Sequence, residues 1–600
     1  MRVKKNPKIA FLTHPLRRMI LAVFGAIICL VIWQLVSEHL VSEKSAFPSP
    51  IGVGTALLRM WHSGELAEDV VASLKRIVVG FVIAFVAAIV IGIIAVRYSK
   101  LYDSVRSVMD LLSSIPPIAW TPLAILWFGI GNAPAYFIVF LGAFFPMFAS
   151  IYAGITRVDR DLIDAARTLG ASRTFVVWNV TFPASIPHII TGIRTGIGVA
   201  WFNVIAAELI GVRSGLGYKI QLSRTLLFSE QVVAVMLVIG VLGYFMTRTV
   251  GSLGNLVAPW AIQDDSKQRW VRRRNKLSRL CKLAARVLRV LTHTENLLAR
   301  QAMTSTEASS NVNQPPSHIA ETETVLISVD GVSKAFGDPE EEGRIQALDN
   351  VSFKVRQGES FCVLGPNGSG KTTLIRIIAG LLVPDTGTVL FEGREVTTPS
   401  TKRTVVFQNF ALFPWRTSRG NIALALEAKH CEYGRYAETQ EAKSNMISRS
   451  LIQADLENFG NMYPAELSGG MKQKLALARA LAVRPKAILM DEPFASLDPI
   501  VREHSQESIL RMLSDQEATI ILVTHNLDEA IFMSDRILIL SNRPGKVKAI
   551  VDVDLPYPRL VDVRTQPKFQ DLRAKLWEIL RSDSAVVSTP NKSSDKPLEI

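Results

Sequence analysis

Cysteine is scarce in this 600-residue chain. Cys29, Cys281, Cys362 and Cys431 are scattered and form no C-x-x-C pair, which argues against a disulfide framework or a cysteine-built metal site and leaves them as ordinary thiols. Nucleic-acid-binding motifs are also absent, so the net charge of +14 does not imply a nucleic-acid partner. The excess charge instead flanks apolar runs, in Arg2–Arg18 and Lys267–Arg300. The first apolar run, Met19–Val36, lacks a small-residue cleavage site: Ser37-Glu38-His39 follows it. It therefore reads as a retained span and not a signal peptide.

Charge is nearly missing from five further runs: Ile77–Val96, Ile115–Gly131, Pro134–Ile155, Ile186–Gly211 and Val232–Thr247. Together with the first they predict about six membrane spans, the third broken by Pro116, Pro117 and Pro122. Prolines and glycines inside the runs imply a bundle, where neighbouring helices repair the backbone. An even count puts both termini on one side, and Arg2, Lys4, Lys5, Lys8, Arg17 and Arg18 assign that side to the cytoplasm. Lys75, Arg76, Arg213, Lys219 and Arg224 would then face outward, as ordinary helix ends or as marks of an anionic solute or docking partner. Arg194 and Glu208 lie in or near a span and are candidates for a functional or a helix-end role.

Residues 265–600 are more polar. Asp264–Arg300 interleaves basic residues with Trp270, Leu277, Leu280, Leu283, Val287 and Leu291, a spacing that suits a helix on anionic membrane lipid or a solvated spacer. Gln301–Thr324, rich in Ser, Thr, Asn, Gln and Pro, reads as a flexible tether. Beyond it, Phe361–Leu364 leads into Gly365-Pro366-Asn367-Gly368-Ser369-Gly370-Lys371-Thr372-Thr373, and an apolar helix follows. Strand, G-x-x-x-x-G-K-[ST] and helix form a phosphate cradle: backbone N–H groups surround the phosphates, Lys371 supplies charge, and Thr372 can ligate Mg²⁺. Ala487–Met490 is an apolar strand ending in Asp491 and Glu492. Asp491 suits Mg²⁺, and Glu492 suits activating the water that attacks a γ-phosphate.

Several segments now carry a resemblance. Leu467-Ser468-Gly469-Gly470-Met471 resembles the signature of ABC ATPases, with Met471 where Gln is commonest. The residues from Val325 onward are similar to that family from end to end. The resemblance implies that Phe336 stacks on adenine and that Gln408 reaches Mg²⁺ and the attacking water. It further implies that Asp498 belongs to the D-loop, that His525 contacts the γ-phosphate, and that Ser468, Gly469 and Gly470 close over ATP held by a second subunit. Asp164-Ala165-Ala166…Gly170…Pro183 resembles the coupling loop of permeases of binding-protein-dependent ABC importers, with Asp164 in place of Glu. Ile118–Leu123, Trp127–Gly131, Ala207–Gly211 and Phe413–Thr417 are similar to the nitrate, taurine and aliphatic sulfonate branch.

The expected fold is a polytopic α-helical membrane domain of the type I importer kind followed by an α/β P-loop ATPase. The expected boundaries are a permease over 1–260, a basic helix and linker over 261–324, the ATPase over 325–560, and a C-terminal helix and polar tail over 561–600. The expected activity is ATP- and Mg²⁺-dependent import of a small oxyanion or sulfonate across a bacterial inner membrane. The ATPase and both termini would be cytoplasmic. The expected partners are a second copy of the chain, since one chain offers one phosphate loop and one signature, and an extracytoplasmic solute-binding protein. The alternatives are an exporter half-transporter, which the short loops disfavour, and a nucleotide-gated channel or membrane-tethered regulatory ATPase.

Overall fold

The computed structural model describes residues 15–39, 47–258, 260, 324–337, 344–428, 440–514, 518–557 and 559–581. The expected basic helix, the tether and the polar tail lie outside the described residues. The chain divides into two compact units, one of residues 1–157 and 184–261, the other of 158–183 and 262–600.

The first unit is helical: α1 Pro15–His39, α2 Pro50–His62, α3 Glu65–Arg97, α4 Ser99–Ser113, α5 Thr121–Phe128 and α6 Asn132–Thr156. After an excursion through α7 and α8, described below, α9 Phe182–Gly211, α10 Leu216–Thr225 and α11 Ser229–Val257 complete it. Among the described residues, four helices are long and apolar enough to cross a membrane: α3, α6, α9 with the turns before it, and α11. The third expected span is a broken one, in which α4 and the Pro117–Phe128 segment meet at 90°. Pro116 and Pro117 sit at the break, where the missing N–H groups end the helix. The first expected run lies within α1.

Small residues let the helices of this unit approach. Ala84 and Ala88 of α3, Val139, Ala143, Met147 and Ile151 of α6, and Ala200 and Val204 of α9 form one buried cluster. At Gly192, an added Cβ would lie 2.9 Å from the Ser150 Cβ. Outward-facing Val82, Val86, Ile93, Leu237 and Val241 are exposed, which suits lipid contact and is costly in water.

One end of this unit is tied by a buried polar knot. The Arg76 guanidinium of α3 lies 2.6 Å from the Glu208 carboxylate of α9, with side chains 4% and 0% exposed. Arg76 also donates to Asn132 Oδ1 at the start of α6, and to the Ser214 carbonyl and hydroxyl. Glu208 further accepts from the Ser73 hydroxyl and the Gly217 N–H, each at 2.9 Å. Gly215, at φ +102°, has no room for a side chain: a Cβ would sit 2.5 Å from Glu208 Oε1. Arg76 is thus spent internally, and Lys219 pairs with Glu65. Glu208 has a clear role in holding helices together, whereas Arg194 is exposed.

The second unit is α/β. A four-stranded antiparallel sheet has the order β2-β1-β4-β5, from β1 Val325–Phe336, β2 Ile345–Arg356, β4 Thr386–Phe391 and β5 Arg394–Glu395. A six-stranded sheet has the order β10-β9-β3-β8-β7-β6, from β3 Ser360–Leu364, β6 Arg403–Val406, β7 Ala487–Asp491, β8 Thr519–Thr524, β9 Arg536–Leu540 and β10 Val547–Asp552. Its inner strands run parallel, and β3, β7 and β8 are buried throughout. That is why their sequences are continuous apolar runs and not alternating ones. The helices are α7 Arg160–Thr168, α8 Arg173–Val176, α12 Lys371–Ile378, α13 Ser418–Glu427, α14 Gln440–Gln453, α15 Gly469–Leu481, α16 Pro499–Ser514, α17 Leu527–Met533 and α18 Pro567–Arg581.

Breaking the knot from one side should be worse than removing it. Arg76→Met leaves a buried unpaired carboxylate and should destabilise the membrane unit by roughly 3–5 kcal/mol. Arg76→Met with Glu208→Leu should recover most of that loss, read as folded yield and melting temperature in detergent.

Candidate functional site

Parallel register brings the site together. Leu364 of β3 pairs with Thr524 of β8, and Val523 of β8 pairs with Asp491 of β7. Val406 of β6 pairs with Met490 of β7. The loops leaving these strands therefore begin at one sheet edge, the carboxyl edge, where parallel sheets bind ligands.

The glycine-rich loop leaves β3 and enters α12. Gly368 and Gly370 take φ +83° and +86°, left-handed values that favour glycine. At Gly370 a Cβ would also lie 2.6 Å from the Ala347 carbonyl. The Lys371 ammonium folds back onto the loop, donating to the carbonyls of Gly365 at 3.0 Å and Pro366 at 2.8 Å. It lies 3.7 Å from Glu492 Oε1. Burial lowers its pKa, opposed by Glu492 and Asp491. The Ser369 hydroxyl is buried with no hydrogen-bond partner. Such an orphan hydroxyl in a glycine-rich loop that opens a helix fits a phosphate.

Thr372 donates from its hydroxyl to Asp491 Oδ1 at 3.1 Å. Burial pushes the Asp491 carboxyl up to about 6 from an ordinary 3.8, and the Thr372 bond opposes this. A desolvated carboxylate beside a hydroxyl is a donor set for a hard cation such as Mg²⁺. Glu492 sits at φ +45° directly after β7, which turns its side chain away from the strand line. Its Oε2 lies 3.1 Å from His525 Nδ1 at the end of β8. Asn526 then caps α17 by accepting from the Asp528 and Glu529 N–H groups.

A cavity of about 310 Å³ opens on this loop, lined by Phe336, Ile345, Ala347, Asn367, Gly368, Gly370, Lys371, Thr372, Thr373, Glu492 and Arg543. The structure thus brings Phe336, the loop, Thr372, Thr373 and Glu492 around one space, with Asp491 and His525 bonded to members of it. Gln408, Ser468, Gly469, Gly470 and Asp498 do not line it. Gln408 begins at the same sheet edge but is exposed. Ser468 caps α15 by accepting from the Met471 N–H at 3.3 Å. Arg543 was not among the sequence candidates. It lies in a turn after β9, far along the chain from any motif, and nothing local in the sequence marks it.

Residues 158–183 pack within this same unit. Asp159 caps α7, accepting from the Asp161 N–H. Ala165 and Ala166 are 1% and 0% exposed. Gly170 turns the chain at φ +86°, Ser172 caps α8, and a π turn over Val177–Thr181 leads to Pro183 in the first turn of α9. Ala166, Leu169, Val176 and Val180 share one apolar cluster with Phe410, Leu412, Phe413 and Ile422. Polar contacts surround this packing. Arg376 of α12 pairs with Asp161 at 2.6 Å, Asn409 donates to Asp159 at 3.3 Å, and Arg416 donates to Asn179 at 3.3 Å. Asp164 lies 3.7 Å from Arg167 and lines a second cavity with Arg376, Thr372 and Phe336. Arg376 was also missed. It lies on the face of α12 opposite Leu374, Ile375 and Ile378, where a basic residue usually reads as solvated surface.

Comparison with known proteins follows the same division. Residues 80–261 match the family model of the binding-protein-dependent transport system inner membrane component, and residues 348–495 match that of the ABC transporter. An uncharacterised ABC transporter ATP-binding protein of Methanocaldococcus jannaschii, MJ0412, is 42% identical over 260 residues, which cover 43% of this chain and 92% of the relative. The aliphatic sulfonates import ATP-binding protein SsuB of Bacillus cereus is 40% identical over 42% of this chain and 95% of its own length. The nitrate import ATP-binding protein NrtC of Synechococcus elongatus is 40% identical over 43% of this chain, and the match spans 38% of NrtC. The chain belongs to the ABC transporter family, and it joins in one polypeptide the inner-membrane component of a binding-protein-dependent transport system and an ABC ATPase.

Proposed function

We propose that this protein imports a small oxyanion or sulfonate across a bacterial inner membrane, driven by ATP and working as a homodimer. The observation that carries the coupling is the seating of residues 158–183 in the apolar cluster of the ATPase, with Asp161 on Arg376 of the phosphate-loop helix. The solute class is supported by the names of similar proteins, which include nitrate, sulfonate and bicarbonate transport ATPases. An extracytoplasmic solute-binding protein delivers the solute, and the ATPase faces the cytoplasm.

Phe336 stacks on the adenine, and residues 365–373 hold the phosphates. Glu492 accepts a proton as water attacks the γ-phosphorus and the bond to the ADP oxygen breaks. His525, bonded to Glu492, keeps that carboxylate aimed. Thr372, Asp491 and Gln408 would hold Mg²⁺, which when bound supplies charge neutralisation on the phosphates. Ser468, Gly469, Gly470 and Asp498 serve the ATP of the partner copy, in keeping with their absence from their own chain's cavity. Closure of the two ATPases moves the Asp164–Pro183 loop and, through it, the bundle.

Glu492→Gln should retain ATP binding and lower hydrolysis by roughly 10²–10⁴-fold, measured as phosphate release by the purified dimer. Normal hydrolysis in that variant would overturn the assignment. Exchanging the charges singly, Arg376→Glu or Asp161→Arg, should uncouple solute uptake in proteoliposomes from ATP turnover. The double exchange should restore part of it.

Asp491 gives a pH-dependent outcome. Its raised pKa favours the neutral acid in the nucleotide-free fold, so its stabilising effect is full below the ordinary 3.8 and is lost as pH rises through about 6. At pH 8 the buried carboxylate costs roughly 1–3 kcal/mol. Asp491→Asn should therefore raise the melting temperature of nucleotide-free protein at pH 8, and the gain should shrink as pH falls through about 6 and vanish toward the ordinary 3.8. It should also abolish the stabilisation by Mg-ATP seen in calorimetry.

A further inference from the structure

Arg479 is buried in α15, the helix that begins at the signature residues, with 2% exposure. Among the described residues it has no carboxylate within ion-pair distance. Its guanidinium instead donates to the backbone carbonyls of Ala411 at 2.6 Å and Phe410 at 3.0 Å, and it lies 5.2 Å from the centre of the Phe413 ring. Burial lowers its pKa to about 10, so it stays protonated at neutral pH. A buried cation with only carbonyl partners is an expensive choice where a Leu or Met would fill the space.

The carbonyls it holds belong to a strained segment. Phe410 and Ala411 are consecutive non-glycine residues at φ +63° and +42°. That region costs an L-residue free energy and persists only where the surroundings enforce it. The strained pair directly follows Gln408 and Asn409. Asn409 donates to Asp159 of the loop before α7, and its own Oδ1 accepts from the Ala411 N–H at 3.2 Å. Downstream, Asn421 accepts from the Phe413 N–H and donates to the Phe413 carbonyl, so the segment is pinned on that side too.

We propose that Arg479 is a positioning residue that ties the signature helix to the Gln408–Ala411 segment and holds it in the left-handed conformation needed for hydrolysis. A movement of α15 is then felt at Gln408 and Asn409 through two hydrogen bonds to backbone. The proposal rests on the hydrolytic reading given above, and a Glu492→Gln variant that still hydrolysed ATP would overturn that reading separately.

The test uses the full-length dimer in proteoliposomes, with Mg-ATP as the probe. Arg479→Met should lower kcat for ATP at least tenfold with KM for ATP within twofold of the parent. Adding Ala411→Gly should recover at least threefold of that loss, because glycine takes a positive φ without being held there. A role in packing alone predicts no recovery, since glycine would loosen the fold further. If Arg479→Met does not fold, Arg479→Lys keeps the charge but loses the fork that spans two carbonyls, and the same glycine should rescue it. An unchanged kcat in Arg479→Met, or a loss that Ala411→Gly leaves untouched in whichever variant folds, would overturn the proposal.

Discussion

The carboxyl edge of one parallel sheet is the constraint on which the catalytic half depends. β3, β7 and β8 are buried on both faces and must be apolar along their whole length. Their polar work is therefore pushed to the residues just past each strand. Gly365, Glu492 and His525 begin there together because the strands are in register, and for no other reason. A one-residue slip would turn Asp491 from Thr372 and undo the 3.1 Å contact. The hydrophobic effect thus sets the geometry of an assembly that is itself polar.

Burial also explains how a helical loop of the membrane segment becomes part of the ATPase core. Ala165 and Ala166 are small enough to be buried in it, Ala166 in one apolar cluster with Val176 and Val180 and Ala165 in a second with Ile375 and Ala411. Around that dry patch lie the charged contacts, Asp161 with Arg376 and Asp159 with Asn409. Apolar packing supplies attraction without direction, whereas the partly buried charges fix register. A loop bound in both ways has few alternative seatings, which is what transmission of a movement requires.

Much of this was legible in the sequence where chemistry is local. The glycine loop, the Asp491-Glu492 pair and the Ala165-Ala166…Gly170 segment each carry their reason within a few residues. What stayed hidden depends on pairings distant along the chain. Arg76 reads as a misplaced outward cation until Glu208, Asn132 and Ser214 are seen around it. Arg376 and Arg543 look like surface residues, and Arg479 looks like one more polar position on a helix. The break at Pro116 and Pro117 was visible, but its 90° angle depends on packing that no local pattern encodes.

The arrangement within one chain also bears on the need for a second. The cavity is lined by loop residues, Phe336, Arg543 and Glu492, and no signature residue lines it. The signature serine meanwhile caps its own helix, accepting from the Met471 N–H. A helix N-terminus with a serine cap and two glycines that does not line the chain's own cavity suits a phosphate held elsewhere. In the homodimer proposed above, a second copy would supply those residues. On that proposal hydrolysis is a property of the pair, and closure of the two copies would reach α15 and, through Arg479, the segment before it.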